Sequence, residues 1–254
     1  MDFPAADFSL RDKIALVTGA NKGLGQAMAV ALAQSGADIV ALGRQEMTGT
    51  EELVKEAGSS FAWVRGDLSS PKTVKDLAAQ AIAAFGRIDI LVNNAGVTPV
   101  RPAEEYSEGD FDLVMDVNVK SLYFLSQEIG KAMIRQGGGK IINVCSVQSI
   151  KGGNSVSAYV ASKHAVAGIT KALANEWAKY GINVNGIAPG YMVTDNTAGL
   201  RQQRELTASL TQQIPMGRWG SPADMMGPVV FLASEASRYV NGHLLVVDGG
   251  YLNN

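Results

Sequence analysis

Seven short runs rich in Val, Ile and Leu recur along the chain, at residues 13–19, 38–42, 61–67, 88–94, 140–146, 182–188 and 243–248. Several, such as ILVN and LLVV, are continuously apolar instead of alternating, the pattern of strands covered on both faces. Longer stretches with helical spacing lie between them, at 24–35, 71–85, 111–136, 157–180 and 223–234. In the fourth, Val166, Ile169, Leu173 and Trp177 fall on one helical stripe. This alternation predicts an α/β fold, a doubly wound seven-stranded parallel sheet with helices on both faces and right-handed crossovers. At 254 residues, 46% hydrophobic and 18% charged, the chain can bury one sizeable core and little more, so one domain over 1–254 is expected.

The segment 191–220 breaks the alternation. It carries a polar run (Thr194, Asp195, Asn196, Thr197) and a short helical pattern through Leu200, Leu206 and Leu210. In an open α/β sheet the ligand sits beyond the carboxyl ends of the strands, so this excursion reads as a substrate lid, the alternative being a surface insertion.

A formal charge of -2 gives no broad positive field for phosphate backbones or anionic membranes, so nucleic acid and membrane are not expected partners. The lone Cys145 cannot form an internal disulfide, and the opening MDFPAADFSLRDK lacks the apolar core of a secretory signal. No apolar run approaches the roughly 20 residues of a membrane span. The cytoplasm is the expected compartment.

The first strand runs into Thr18-Gly19-Ala20-Asn21-Lys22-Gly23-Leu24-Gly25, and a helix follows. Glycines at these places allow a sharp turn and let a pyrophosphate approach the helix N-terminus, where free N–H groups favour anions. The reading is a Rossmann-like dinucleotide site, against a purely steric turn. The second strand ends in Gly43-Arg44, where a carboxylate would hold the ribose hydroxyls of NAD. Arg44 and Lys22 offer positive charge instead, which favours NADP(H) over NAD(H), unless both are solvated surface cations.

Tyr159 and Lys163, four residues apart at the start of the fourth helical stretch, share one helix face. A free phenol has a pKa of about 10, and a nearby ammonium favours its anionic form. Such a pair can exchange a proton with a carbinol or carbonyl oxygen. Ser146 ends the fifth strand on the same sheet edge and can polarise that oxygen. Asn118 is a polar amide on an otherwise apolar helical stretch. Cys145 reads as a core residue, and His164 and His243 lack metal-ligand spacing, so no metal is expected.

Taken together, TGxxxGxG at 18–25, NNAG at 93–96, Asn118, Ser146, YxxxK at 159–163 and Pro189-Gly190 followed by Thr194 resemble the single-domain short-chain dehydrogenases/reductases over essentially the whole chain. The resemblance implies a catalytic tetrad of Asn118, Ser146, Tyr159 and Lys163. It implies cofactor contacts from Gly19, Asn21, Lys22, Gly23, Leu24, Gly25 and Arg44, and adenine contacts from Asp67 and Leu68. A cofactor floor of Asn94, Ala95 and Gly96 follows, with further contacts from Tyr159, Lys163, Pro189 and Gly190 and a carboxamide clamp at Val193 and Thr194. It also implies a homotetramer with 111–136 and 157–180 at an interface. Segments such as ALANEWAKYGINVNGIAPGYMVTDNTAGLR and IPMGRWGSPADMMGPVVFLAS resemble members acting on sugar acids of the 2-deoxy-D-gluconate or keto-deoxygluconate type. Arg101, Gln148, Asn154, Arg201 and Arg204 are the residues that could meet such a substrate. The expected activity is therefore hydride transfer between a nicotinamide cofactor and a secondary alcohol or ketone. The rivals are an NADPH-dependent 3-oxoacyl-thioester or general carbonyl reductase and an inactive, cofactor-sensing binding protein.

Overall fold

The computed structural model describes residues 5–253, so residues 1–4 and 254 of the expected domain lie outside it. Seven strands, β1 (Ile14–Thr18), β2 (Asp38–Gly43), β3 (Phe61–Arg65), β4 (Ile90–Asn93), β5 (Gly139–Val144), β6 (Ile182–Pro189) and β7 (Leu244–Val247), form one parallel sheet in the order β3-β2-β1-β4-β5-β6-β7. The expected architecture is thus present. Its helices are α1 (Gly23–Gln34), α2 (Thr48–Glu56), α3 (Val74–Phe85), α4 (Glu108–Met115), α5 (Leu122–Gln136), α6 (Ser157–Trp177), α7 (Ala198–Arg201), α8 (Arg204–Gln212) and α9 (Met226–Ala233). Among the described residues no helix is long and apolar enough to cross a membrane.

Successive residues of a strand point to opposite faces, and the core divides accordingly. Ala15 and Val17 of β1 join Met28, Leu32 and Val229 on one face, whereas Ile14 and Leu16 join Leu77, Ile129 and Leu173 on the other. Both faces being covered explains why these strands read as continuous apolar runs. A polar ladder crosses the second face. Asn93 and Asn143 are register partners on β4 and β5, and Asn93 Nδ2 donates to Asn143 Oδ1 and to Ser126 Oγ, both at 2.9 Å. Asn143 Nδ2 in turn donates to Thr170 Oγ1 (2.9 Å), tying α5, the sheet and α6 together.

Beyond small shifts at the ends of other elements, three departures from the sequence expectation stand out. α2 was not expected; it buries only Thr50 and Val54, too little to mark the sequence. The third strand stops at Arg65, two residues early, so Asp67 and Leu68 belong to a loop. The helix expected at 111–136 is two helices joined by a π-helical stretch, Asp116–Ser121, which contains Asn118. π turns of this kind hold an extra residue and often sit at functional sites.

Along the chain the sheet grows from β1 to β3 and then restarts at β4 on the other side of β1. The crevice at this switch point, beyond the carboxyl ends of β1 and β4, is the ligand position of open α/β sheets.

Candidate active site

At the end of β1 the chain turns through Gly19 (φ 65°) and Gly23 (φ 58°), the left-handed region that favours glycine. A Cβ at Gly25 would stand 2.3 Å from Gly19 O, so the helix packs against the turn only because that atom is absent. α1 starts from an extended Lys22 with no side chain capping its first turn, which leaves its leading N–H groups available to an anion. The residues present therefore fit the pyrophosphate of a dinucleotide. Leu24 packs on the core below. Thr18 Oγ1 accepts the N–H groups of Asn94 and Ala95, each at 2.9 Å, and Asn94 Nδ2 donates to Thr18 O (2.8 Å) and Gly19 O (3.1 Å). Asn94 and Ala95 are thus fixed beside the turn, and Gly96 leaves room for the Asn118 amide.

Charged groups around this turn are paired. Lys22 Nζ lies 2.7 Å from Asp195 Oδ2 and holds that carboxyl below its ordinary range. Arg44 Nη1 lies 3.9 Å from Asp67 Oδ2, both side chains being largely exposed. Asn21 Nδ2 donates to Gln45 Oε1 (3.2 Å), and Leu68 O accepts the Ser121 hydroxyl (2.6 Å).

β5 and α6 bring the chemical groups to the same edge. Lys163 is 5% exposed; its ammonium donates to Val144 O (2.6 Å) at the end of β5 and sits 5.5 Å from the centroid of the Tyr159 ring. Ser146 does not end β5, as the sequence suggested, but lies two residues beyond it, at the start of the turn Val147–Ser149, and its Oγ accepts the N–H of Gln148 (3.1 Å). That bond occupies oxygen lone-pair density and leaves the hydroxyl proton free to donate elsewhere. Asn118, 1% exposed, is held by three hydrogen bonds to two residues: Nδ2 donates to Val97 O (3.0 Å) and Ser162 Oγ (3.1 Å), and Oδ1 accepts the Val97 N–H (2.9 Å). Ser162 Oγ donates to Tyr159 O (2.7 Å), so one chain of hydrogen bonds links the π turn, the segment after β4 and the start of α6.

Other groups near this edge are less suited to proton transfer. Burial and the neighbouring Tyr251 push the Tyr191 phenol up to about 12, and burial raises the Cys145 thiol. Among the described residues no group of three or more His, Cys, Asp or Glu side chains could hold a metal ion.

Pro189 ends β6, and Gly190 passes so close to Asp248 that a Cβ there would lie 2.8 Å from its Cα. The excursion that follows is pinned at its base, where Val193 N–H donates to Gly220 O (2.8 Å) and Gly220 N–H to Tyr191 O (2.9 Å). Beyond that base α8 buries no residue. Val193 is exposed, and the Thr194 methyl faces Gly23.

The residues suggested for substrate contact are scattered. Arg101 is paired with Asp110 (3.7 Å), Arg201 donates to Thr194 O (3.1 Å), and Asn154 and Arg204 are exposed. Gln148 alone is set against Ser146, with its Oε1 buried and lacking a hydrogen-bond partner. Sequence reasoning missed Thr18 and Ser162. Ser162 stands one residue before Lys163 in the YVASK run and Thr18 opens the TGxxxGxG run, positions that could have singled them out, although the sequence reading gives neither a role.

The family model described as enoyl-(acyl carrier protein) reductase matches residues 19–252. The 2-dehydro-3-deoxy-D-gluconate 5-dehydrogenase of Escherichia coli (strain K12) is 52% identical over 246 residues, covering 96% of this chain and 97% of its own. The gluconate 5-dehydrogenase of Gluconobacter oxydans (strain 621H) is 40% identical over 245 residues, 96% of each chain. A solved gluconate 5-dehydrogenase from Burkholderia cenocepacia J2315, in complex with NADP and tartrate, is similar at 36% identity and a TM-score of 0.94, covering 98% of both chains.

Proposed function

The chain belongs to the short-chain dehydrogenase/reductase family, and from that membership we propose that it reversibly oxidises a secondary alcohol on a sugar acid of the gluconate or deoxygluconate class, with NADP(H) preferred. The observation that carries this reading is the buried Lys163 ammonium, tied to Val144 O and held beside the Tyr159 ring on the strand edge where Ser146 emerges.

When bound, a nicotinamide dinucleotide supplies the hydride acceptor or donor. Gly19, Asn21, Lys22, Gly23, Leu24 and Gly25 would hold its pyrophosphate end, Arg44, Asp67 and Leu68 its adenosine end, and Asn94, Ala95 and Gly96 its floor. Pro189, Gly190, Val193 and Thr194 would close on the nicotinamide. In the oxidising direction Tyr159 Oη takes the proton of the alcohol as its carbon loses hydride. In reduction the same oxygen returns the proton to the carbonyl. Lys163 stabilises the negative charge that develops on the phenol oxygen. Ser146 donates a hydrogen bond to the substrate oxygen and keeps its proton, and Asn118 positions Tyr159 through Ser162. Arg44 and Lys22, both exposed despite their ion pairs, are the groups that would meet a 2′-phosphate. The reading extends to residues 191–220 as a substrate lid on a single domain and to a cytoplasmic homotetramer. For that assembly, the exposed Phe111, Tyr123 and Phe124 along the α4–α5 face offer apolar contact.

The test is turnover of purified protein on gluconate, 2-deoxygluconate, their keto forms and a 3-oxoacyl thioester with each cofactor, repeated with Tyr159→Phe. Sugar-acid turnover that falls roughly 10²–10⁴-fold in the variant is expected. Preferred turnover of the thioester, or a fully active variant, would overturn the assignment.

A further inference from the structure

The amino edge of the sheet, opposite the reacting groups, carries a cavity of about 700 Å³ that the proposed reaction does not use. Its walls come from the starts of β4, β5 and β6 and from the segments after α5 and α9. Lys140, the second residue of β5, lines it and is only 8% exposed. The Lys140 ammonium donates to Asn183 Oδ1 (2.8 Å), and none of the ion pairs among the described residues includes it. A buried ammonium without a carboxylate is costly, and buried charges are normally paired. Desolvation accordingly draws Lys140 below its ordinary value near 10.5, with Glu235 opposing the shift and Lys13 adding to it.

The rest of the lining leaves an excess of positive charge. Arg87 clamps both oxygens of Asp89, and Oδ2 also accepts the Ile14 N–H (3.0 Å), so that pair is internally neutralised. Lys13, Lys140 and Arg238 then face a single carboxylate, Glu235. A cationic recess of this size, with one ammonium partly desolvated, matches a compact group bearing more than one negative charge.

We propose that this cavity is a second ligand site, separate from the dinucleotide crevice, which binds a phosphate group through Lys140 and Arg238. The group could be free phosphate or part of a phosphorylated metabolite, and the two share the same recognition chemistry.

The test is calorimetric titration of inorganic phosphate into the full-length protein at constant ionic strength, after saturation with NADP so that the glycine-rich turn cannot compete. Saturable binding is expected, weakened about tenfold or more in Lys140→Met and in Arg238→Ala, while NADP affinity stays at the wild-type level. Lys140→Met replaces a buried charge by an apolar chain of similar length, so without phosphate it should unfold at or above the wild-type temperature and lose the rise that phosphate gives wild type. Arg238 is exposed and its replacement does not threaten folding. Absence of saturable binding to the wild type, or undiminished binding in both variants, would overturn the proposal. A parallel titration with glycerol 3-phosphate identifies the source, since tighter binding than inorganic phosphate points to a phosphomonoester and weaker binding to the free ion.

Discussion

Replacing Gly25 with Ala tests the dinucleotide turn most directly, because the structure separates two glycines that look alike in sequence. At Gly25 the added Cβ would lie 2.3 Å from Gly19 O, 2.9 Å from Gly19 C and 2.4 Å from Asn94 Nδ2. The obstacles are a backbone carbonyl and an amide already engaged with it, so neither can swing aside freely. Relief requires the turn to shift by roughly 1 Å, at an overpacking cost of about 1–3 kcal/mol. If the bond from Asn94 to Gly19 O also breaks, about 1 kcal/mol is added. At Gly23 the nearest atom to a new Cβ is Thr194 Cγ2 at 3.7 Å, which is ordinary contact. There only the left-handed backbone resists, at about 1–2 kcal/mol. Both variants would be followed by thermal unfolding and by dinucleotide binding from fluorescence. For Gly25→Ala the summed cost of about 2–4 kcal/mol should appear either as a fall in Tm, at roughly 2–4 °C per kcal/mol, or as a dissociation constant raised by about 30-fold or more. Gly23→Ala should show the smaller loss. A Gly25→Ala protein with wild-type Tm and affinity would refute the reasoning.

Asp224 is held well below its ordinary value near 3.8, chiefly by the Arg218 guanidinium and also by the Ser221 N–H. A carboxyl depressed in the folded state stabilises the fold above its unfolded value, and the benefit fades as pH falls from there toward the folded value. Asp224→Asn should therefore lower Tm at neutral pH and flatten the acid limb of the Tm–pH curve, and an unchanged limb would contradict this. Arg44→Ala should raise KM for NADP about tenfold while leaving NAD unaffected, measured by initial rates with each cofactor. Gln148→Leu removes a buried oxygen that has no hydrogen-bond partner, so it should unfold no earlier than the wild type while KM for the sugar acid rises. A variant that loses stability with KM unchanged would assign Gln148 a packing role instead.

Much of the fold was legible because hydrophobic periodicity is local. β1, β2 and β4 are buried along nearly their whole length, and such strands announce themselves as unbroken apolar runs. α2 escaped notice because its contact with the core rests on Thr50 and Val54 alone. The π stretch escaped because one extra residue per turn leaves no compositional mark in a segment that is otherwise helical. At the site, the spacing of Tyr159 and Lys163 is a helix property and could be read directly. The contacts that fix them could not. Asn118 meets Ser162 across 44 residues, Lys163 meets Val144 across 19, and the Lys22–Asp195 pair spans 173. Partners so distant in sequence are set by the order of the strands, which no local pattern records. Asn93 and Asn143 illustrate the same limit: each looks like a blemish in an apolar strand, yet side by side the Asn93 amide donates to Asn143 Oδ1.

The π stretch also makes the chain unusually sensitive to length at one place. Each residue of an α-helix advances about 100° around the axis. Deleting a single residue between Asp116 and Ser121 would let the two flanking helices merge into one regular rod, a locally favourable repair. The merged rod would turn everything before the deletion by that angle relative to everything after it. Either the Asn118 amide would leave Val97 and Ser162, or the Ser126 hydroxyl would leave Asn93. The irregular turn is therefore what lets one continuous segment serve two separate polar appointments, and a better-formed helix here would make a poorer protein.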